Sequence, residues 1–388
     1  MERASDRNVT VQRKQIAVLL LYIAAAVIVT IQRGVYGFPN DYAIFRASFW
    51  NLTVHRDLYV LRLDQARDYF KYSPTFALLF APFALLPFIG GLLLWNVVNA
   101  TAIWVALKSL LRDERSIVAQ LLVSLPLLRN MQSSQSNALV AALIVVAFVC
   151  YERGWLWRGA ASIAIGSAIK IFPLAALTFA LPRRDRWRAA GIATTCIVTV
   201  VVLPLLVLSP SELAAQYRSW SALETTEATL VGSSAMVLIR DAGLTWPAWP
   251  IQMVAAALLL AALAYRLRDW SDRGVRSQFL ALVLVFCVVF NHRAERQSSV
   301  IAISGMVIWL LSRPPTRWRV AVFAIIYVLV SLTGPDFVPV AIKQVLTPEL
   351  RFTIPLTAGW LAILGELLFA RDDRGLVAEI NERDAASL

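Results

Sequence analysis

Charge is scarce in this chain: Asp, Glu, Lys and Arg make up 16% of its 388 residues, against roughly a quarter in soluble globular proteins. With 59% hydrophobic residues, that shortage excludes an ordinary water-soluble domain, and no long polar stretch makes room for one. Cysteine is nearly absent. Cys150, Cys196 and Cys287 all fall inside apolar segments and no pair has metal or redox spacing, so no disulfide is expected. Also missing are a Gly-rich phosphate loop, a nucleophile elbow, paired-cysteine or paired-histidine metal motifs, and an Asp-x-Asp triplet that could hold a metal and a nucleotide sugar. Their absence argues against a cytosolic nucleotide donor.

What is present is a succession of apolar runs near the roughly 20 residues that span a bilayer. They imply an all-α polytopic membrane protein with about twelve spans, near 16–31, 90–111, 116–129, 138–151, 159–170, 171–182, 189–208, 248–266, 277–291, 298–312, 319–333 and 352–369. The run Ile16 to Ile31 follows Arg3, Arg7, Arg13 and Lys14 with no small-residue cleavage site, which reads as a retained first helix. The pair flanking Lys170 is too short to cross at full thickness and reads as tilted or partly broken. The net charge of +12 comes from Lys and Arg clusters between the apolar runs, not from one basic face, so it reports topology and not nucleic acid. Short loops rich in Arg and Lys are held in the cytoplasm. This places both termini inside, with residues 1–370 as one membrane domain and 371–388 as a polar cytoplasmic tail.

The first outer loop, roughly residues 32 to 88, is too long for a mere turn. Asp41 lies just beyond the first helix, at a depth where partial desolvation can lift a carboxylate toward general-base range; a solvated loop aspartate fits the same residues. Thr75 to Leu86, bounded by Pro74 and Pro87, suits a short interfacial or re-entrant helix. Lys170 must snorkel or meet an anion. The segment Asn291-His292-Arg293-Ala294-Glu295-Arg296-Gln297 is densely polar between two apolar spans. If it is helical, His292, Glu295 and Arg296 share a face suited to a phosphate or sugar.

Several runs then resemble glycosyltransferase family 87, whose members use polyprenyl-phosphate donors. They are Asn40-Asp41-Tyr42, Asp57-Leu58-Tyr59, Tyr72-Ser73-Pro74-Thr75-Phe76, Leu94-Trp95-Asn96, Ser134-Gln135-Ser136-Asn137 and Gly166-Ser167-Ala168-Ile169-Lys170-Ile171-Phe172-Pro173. The family commonly has Gly where this chain has Ser134, and a different motif where it has Asn291 to Gln297.

The resemblance implies a C-type membrane fold with an extracytoplasmic site in the inner (plasma) membrane, and Asp41 as the catalytic aspartate. It makes Lys170, Arg293 and Arg296 candidates for the donor phosphate. His292, Glu295, Gln135, Asn137, Tyr42 and Tyr72 become candidates for sugar or acceptor. The implied partners are a polyprenyl-phosphate sugar, with mannose the best-known case, a lipid-linked or envelope glycan acceptor, and membrane lipids. No cofactor is expected, and no metal, because the outer loop that would supply a second acidic ligand offers Gln135 and Asn137. The competing reading is a secondary transporter or a lipid-glycan flippase. Against a transporter, the two halves show no internal repeat and the ionisable residues gather at one face.

Overall fold

The computed structural model describes residues 2–227, 231–244, 246–333, 339 and 346–369; the tail from 371 onward lies outside them. All regular structure among the described residues is helical. The chain opens with α1 (Glu2–Gly34), followed by α2 (Asn40–Thr53) and the short α3 (Pro74–Leu79) and α4 (Ala81–Ala84) in the segment that leads to the next long helix. The bundle continues with α5 (Phe88–Leu110), α6 (Asp113–Gln132), α7 (Asn137–Glu152) and α8 (Leu156–Ile169). A 3₁₀ helix over Phe172–Ala180 leads to α9 (Arg186–Val202), the connecting helices α10 (Pro210–Glu227) and α11 (Ala235–Asp241), and α12 (Ala248–Tyr265). The last helices are α13 (Arg273–Val289), α14 (Ser299–Leu311), α15 (Arg317–Tyr327) and α16 (Ile354–Phe369).

Every one of the twelve apolar runs is helical, but the count of twelve crossings is not reproduced by helix length. Among the described residues, five helices are long and apolar enough to cross a membrane: Val9–Gly34, Phe88–Leu110, Arg186–Leu206, Ala248–Tyr265 and Glu349–Phe369. The others are too short or carry too many polar residues at their ends. The centre is set by α13, buried from Ser277 through Val289, which packs along the equally apolar α14. A helix that is apolar all round belongs inside. By contrast, α1, α9 and α12 leave Leu20, Ile28, Val198 and Met253 exposed on their outer sides, the apolar surface that lipid would cover.

Local chemistry explains how the segment between α1 and α5 is held. Ser73 caps α3, its Oγ accepting from the Phe76 N–H at 3.2 Å, with Pro74 at the first helical position. The same hydroxyl donates to the Ala168 carbonyl at 2.6 Å, tying the loop to the end of α8. On α2, Phe45 makes edge contacts with Tyr72, Phe76, Phe80 and Trp95, with centroids 4.9 to 5.9 Å apart. Tyr42 does not face the cavity described below: its hydroxyl donates to the Phe83 carbonyl at 3.0 Å and its ring packs on Phe80 and Phe88. It is a strut for α2. Gly91 makes that packing possible, since a Cβ there would stand 2.1 Å from both the Phe83 carbonyl and the Tyr42 hydroxyl.

Candidate active site

At the ends of α7, α8, α12 and α13, where they meet α2 and α10, a cavity of about 430 Å³ opens. Asp41 in the first turn of α2, Gln135 ahead of α7, Lys170 after α8 and the segment His292 to Glu295 bring their side chains to it.

Gln135 organises one wall. Its Nε2 donates to Asp41 Oδ2 at 2.9 Å and to Glu295 Oε2 at 3.2 Å, and its Oε1 accepts from the Tyr72 hydroxyl at 3.2 Å. The turn that presents Gln135 is itself pinned. Trp95 Nε1 donates to the Ser134 carbonyl at 2.8 Å, Asn130 Nδ2 donates to the Gln135 carbonyl at 2.9 Å, and Ser134 sits in the left-handed region with φ of 54°. That conformation accounts for the family's usual Gly at this place, since Gly adopts it without steric cost.

Lys170 stands where α8 stops. Its backbone is extended (φ −143°, ψ 142°) and Pro173 follows in the 3₁₀ helix, so the α-helix cannot continue. Its Nζ donates to Asn137 Oδ1 at 2.6 Å. Asn137 thus holds the lysine and does not line the cavity itself.

The dense polar segment does not form the helix that would put His292, Glu295 and Arg296 on one face. α13 ends at Val289, and beyond it the Gly232 N–H donates to the His292 carbonyl and the Ser233 N–H to the Ala294 carbonyl, both at 2.7 Å. Carbonyls engaged by another segment are diverted from an i→i+4 ladder, so the backbone follows Gly232. No larger residue fits there, because a Cβ would lie 2.5 Å from the Ala294 carbonyl. As a result His292, Arg293 and Glu295 reach the cavity, while Arg296 turns into a separate crevice with Arg129 and Arg351. Arg296 is therefore not placed with the other phosphate candidates.

Electrostatics single out Asp41. Burial, and then the negative charge of Glu295, push its carboxyl up to about 7, against the pull of Lys170 and of the Gln135 hydrogen bond. Burial, followed by the charges of Asp41 and Glu295, holds the Tyr72 phenol well above its ordinary value, so it stays a neutral donor. Burial lowers the His292 imidazole, which favours its neutral form.

Further groups line the cavity that the sequence reading did not assign: Asp68 and Lys71 from the first outer loop, and Trp220 and Glu224 from α10. Glu227, at the end of α10, meets both Lys71 and Arg293. A local signal for α10 exists in Ser209-Pro210-Ser211-Glu212, a capping box in which the Ser209 N–H donates to Glu212 Oε2 at 2.7 Å and the Glu212 N–H to Ser209 Oγ at 3.3 Å. From that start, Trp220, Glu224 and Glu227 follow at helical spacing.

An apolar helical bundle that keeps a chamber of carboxylates, cations and amides at the ends of its helices is a membrane protein built to process a polar group beside lipid. The chain belongs to glycosyltransferase family 87, whose model matches residues 70–292. That match takes in Tyr72, Gln135, Asn137, Lys170 and His292; Arg293, Glu295 and Arg296 lie just past its end, and Asp41 lies well before its start. The chain is also 32% identical over 167 residues to the alpha-(1->3)-arabinofuranosyltransferase of Mycobacterium tuberculosis, in strains CDC 1551 / Oshkosh and ATCC 25618 / H37Rv. The similarity covers 39% of this chain and spans 38% of the length of those curated relatives.

Proposed function

We propose that this membrane glycosyltransferase moves a sugar from a polyprenyl-phosphate donor to a hydroxyl of a lipid-linked or cell-envelope glycan, with Asp41 as general base. The observation that carries this reading is a carboxyl raised to about 7 inside a cavity where Lys71, Lys170 and Arg293 face the same space. Such a pKa suits a base working near neutrality. The acceptor oxygen attacks the anomeric carbon and its proton passes to Asp41. The bond from that carbon to the phosphate oxygen breaks, and the electron pair leaves with the polyprenyl phosphate. Cations beside the departing phosphate stabilise the charge that develops there.

Gln135, which also donates to Glu295, holds Asp41 in position, and His292 and Tyr72 are the neutral groups available to sugar hydroxyls. Residues 1–370 make one transferase domain. Threaded as the loop charges indicate, the twelve helical segments leave both termini in the cytoplasm and open the cavity to the outer face of the inner (plasma) membrane. The gathering of Arg153, Arg158, Arg183 and Arg188 in short turns away from the cavity supports that orientation.

Mannose is the sugar expected from the family resemblance. The similarity to an arabinofuranosyltransferase favours a second reading, an arabinofuranose donor. Transfer by the purified protein in nanodiscs, with labelled polyprenyl-phosphate mannose and polyprenyl-phosphate arabinofuranose offered in parallel, separates the two. Loss of transfer in a folded Asp41→Asn variant is expected; transfer equal to wild type would remove Asp41 from the chemistry, and no transfer from any such donor would favour the transporter reading. Transfer is expected to persist after thorough chelation, and rescue of a chelated, inactive enzyme by magnesium or manganese would overturn that.

A further inference from the structure

We infer that Lys71 and Arg293 form a two-pronged phosphate clamp in this cavity, that Glu227 is the positioning residue joining them from behind, and that Asp68 occupies the phosphate's place on Lys71. The inference rests on the glycosyltransferase reading and assigns the residues that meet the donor's phosphate.

The cations near the cavity are held in different ways. Lys170 is engaged by Asn137 at 2.6 Å, and the carboxylates acting on it are those of Glu295 and Asp41, so it belongs to the base side of the cavity. Arg296 lies in another crevice. Lys71 and Arg293 both line the cavity, and both reach the same carboxylate. Glu227 Oε1 lies 3.5 Å from Lys71 Nζ, and Arg293 Nη1 donates to Glu227 Oε2. One carboxylate cannot touch two cations that stand far apart, so the ammonium and guanidinium are neighbours.

Burial orders the three groups. The Glu227 side chain is 12% exposed, against 22% for each cation, and Glu227 does not line the cavity. Its charge lies behind the pair. Neither cation is exhausted by that contact, since an ammonium has three donors and a guanidinium five. The second partner of Lys71 is different in kind: Asp68 Oδ2 sits 2.9 Å from Nζ on a side chain that is 49% exposed and lines the cavity. A solvated carboxylate at that distance is an exchangeable stand-in for a phosphate oxygen, whereas the buried Glu227 is a permanent partner of the two cations. Arg and Lys together suit a terminal phosphate, the fork supplying geometry and the ammonium a point charge.

Opposite effects of the two acids test this. The full chain in nanodiscs is titrated with farnesyl phosphate, farnesol and inorganic phosphate, following the thermal shift. Wild type is expected to bind farnesyl phosphate far better than either other probe. Lys71→Gln and Arg293→Gln should each weaken it roughly tenfold or more, while Lys71→Arg should retain binding and so controls for folding. Glu227→Gln should weaken farnesyl phosphate and Asp68→Asn should tighten it. Arg218→Gln, which removes an exposed cation from the same helix, should change nothing.

Wild-type affinity in both Lys71→Gln and Arg293→Gln, or shifts of the same sign in Asp68→Asn and Glu227→Gln, would overturn the clamp. Inorganic phosphate binding as tightly as farnesyl phosphate would overturn its assignment to a lipid donor. None of these probes carries a sugar, so a failed transfer assay and a failed clamp are told apart.

Discussion

Asp41 and Glu295, from distant parts of the chain, are joined through one amide group: Gln135 Nε2 donates to both carboxylates, at 2.9 and 3.2 Å. The amide separates two like charges that would otherwise meet in a partly desolvated cavity, and it leaves Asp41 as the member pushed up to about 7.

A pH profile reads that shift directly. With Asp41 as the proposed base, which must be ionised to act, transfer is expected to rise with pH through about 7 and to be weak in acid. The sign for stability is the reverse. A carboxyl raised by folding stabilises the folded state fully at low pH, and that contribution is lost as pH rises through about 7. Asp41→Asn, inactive in transfer, is therefore expected to be more stable than wild type at pH 8 by on the order of 1–3 kcal/mol. Thermal unfolding at pH 5 and pH 8 checks it, and equal stability of the two proteins at both values would count against the raised carboxyl.

Gln135→Met keeps the volume and removes the amide. Its hydrogen bond favours ionised Asp41, so losing it lifts the carboxyl further. The rising limb of the pH profile is expected to move to higher pH, with activity at neutrality falling roughly tenfold. A profile that stays in place with only its height reduced would assign Gln135 to substrate contact instead.

Ser134→Gly is expected to stabilise the protein by about 1 kcal/mol. It relieves a φ of 54° and removes a buried hydroxyl that has no hydrogen-bond partner. Denaturation in detergent measures this, and a fall in stability would mean that the buried hydroxyl is bonded after all.

Gly91→Ala is expected to do the opposite. The added methyl meets the Phe83 carbonyl and the Tyr42 hydroxyl at 2.1 Å, so α2 must shift away from α5 and carry Asp41 with it. Unfolding temperature and transfer should fall together, and full activity in this variant would show that α2 tolerates displacement.

The membrane class, the helical nature of each apolar run, the interruption at Lys170 and the special standing of the first outer loop were legible along the chain. They depend on hydropathy, run length and proline, which act within a few residues. The conformation of Asn291 to Gln297 was not. Its helical reading failed because Gly232 and Ser233 engage the His292 and Ala294 carbonyls, a contact that no local pattern announces. The helix carrying Glu227 had a readable start in its capping box, but its partners Lys71 and Arg293 come from distant segments.

By itself, then, the sequence determined the solvent of the fold, the positions of its helices and the kinds of groups available for chemistry, since a residue's transfer energy and backbone preference travel with it. Only the tertiary structure decided which groups face one another: Gln135 between Asp41 and Glu295, Lys170 held by Asn137, Tyr42 turned into the packing, and Arg296 turned into another crevice. The direction of a side chain at the end of a helix is set by hydrogen bonds and packing from segments far away in the chain, and those exist only once the bundle has closed.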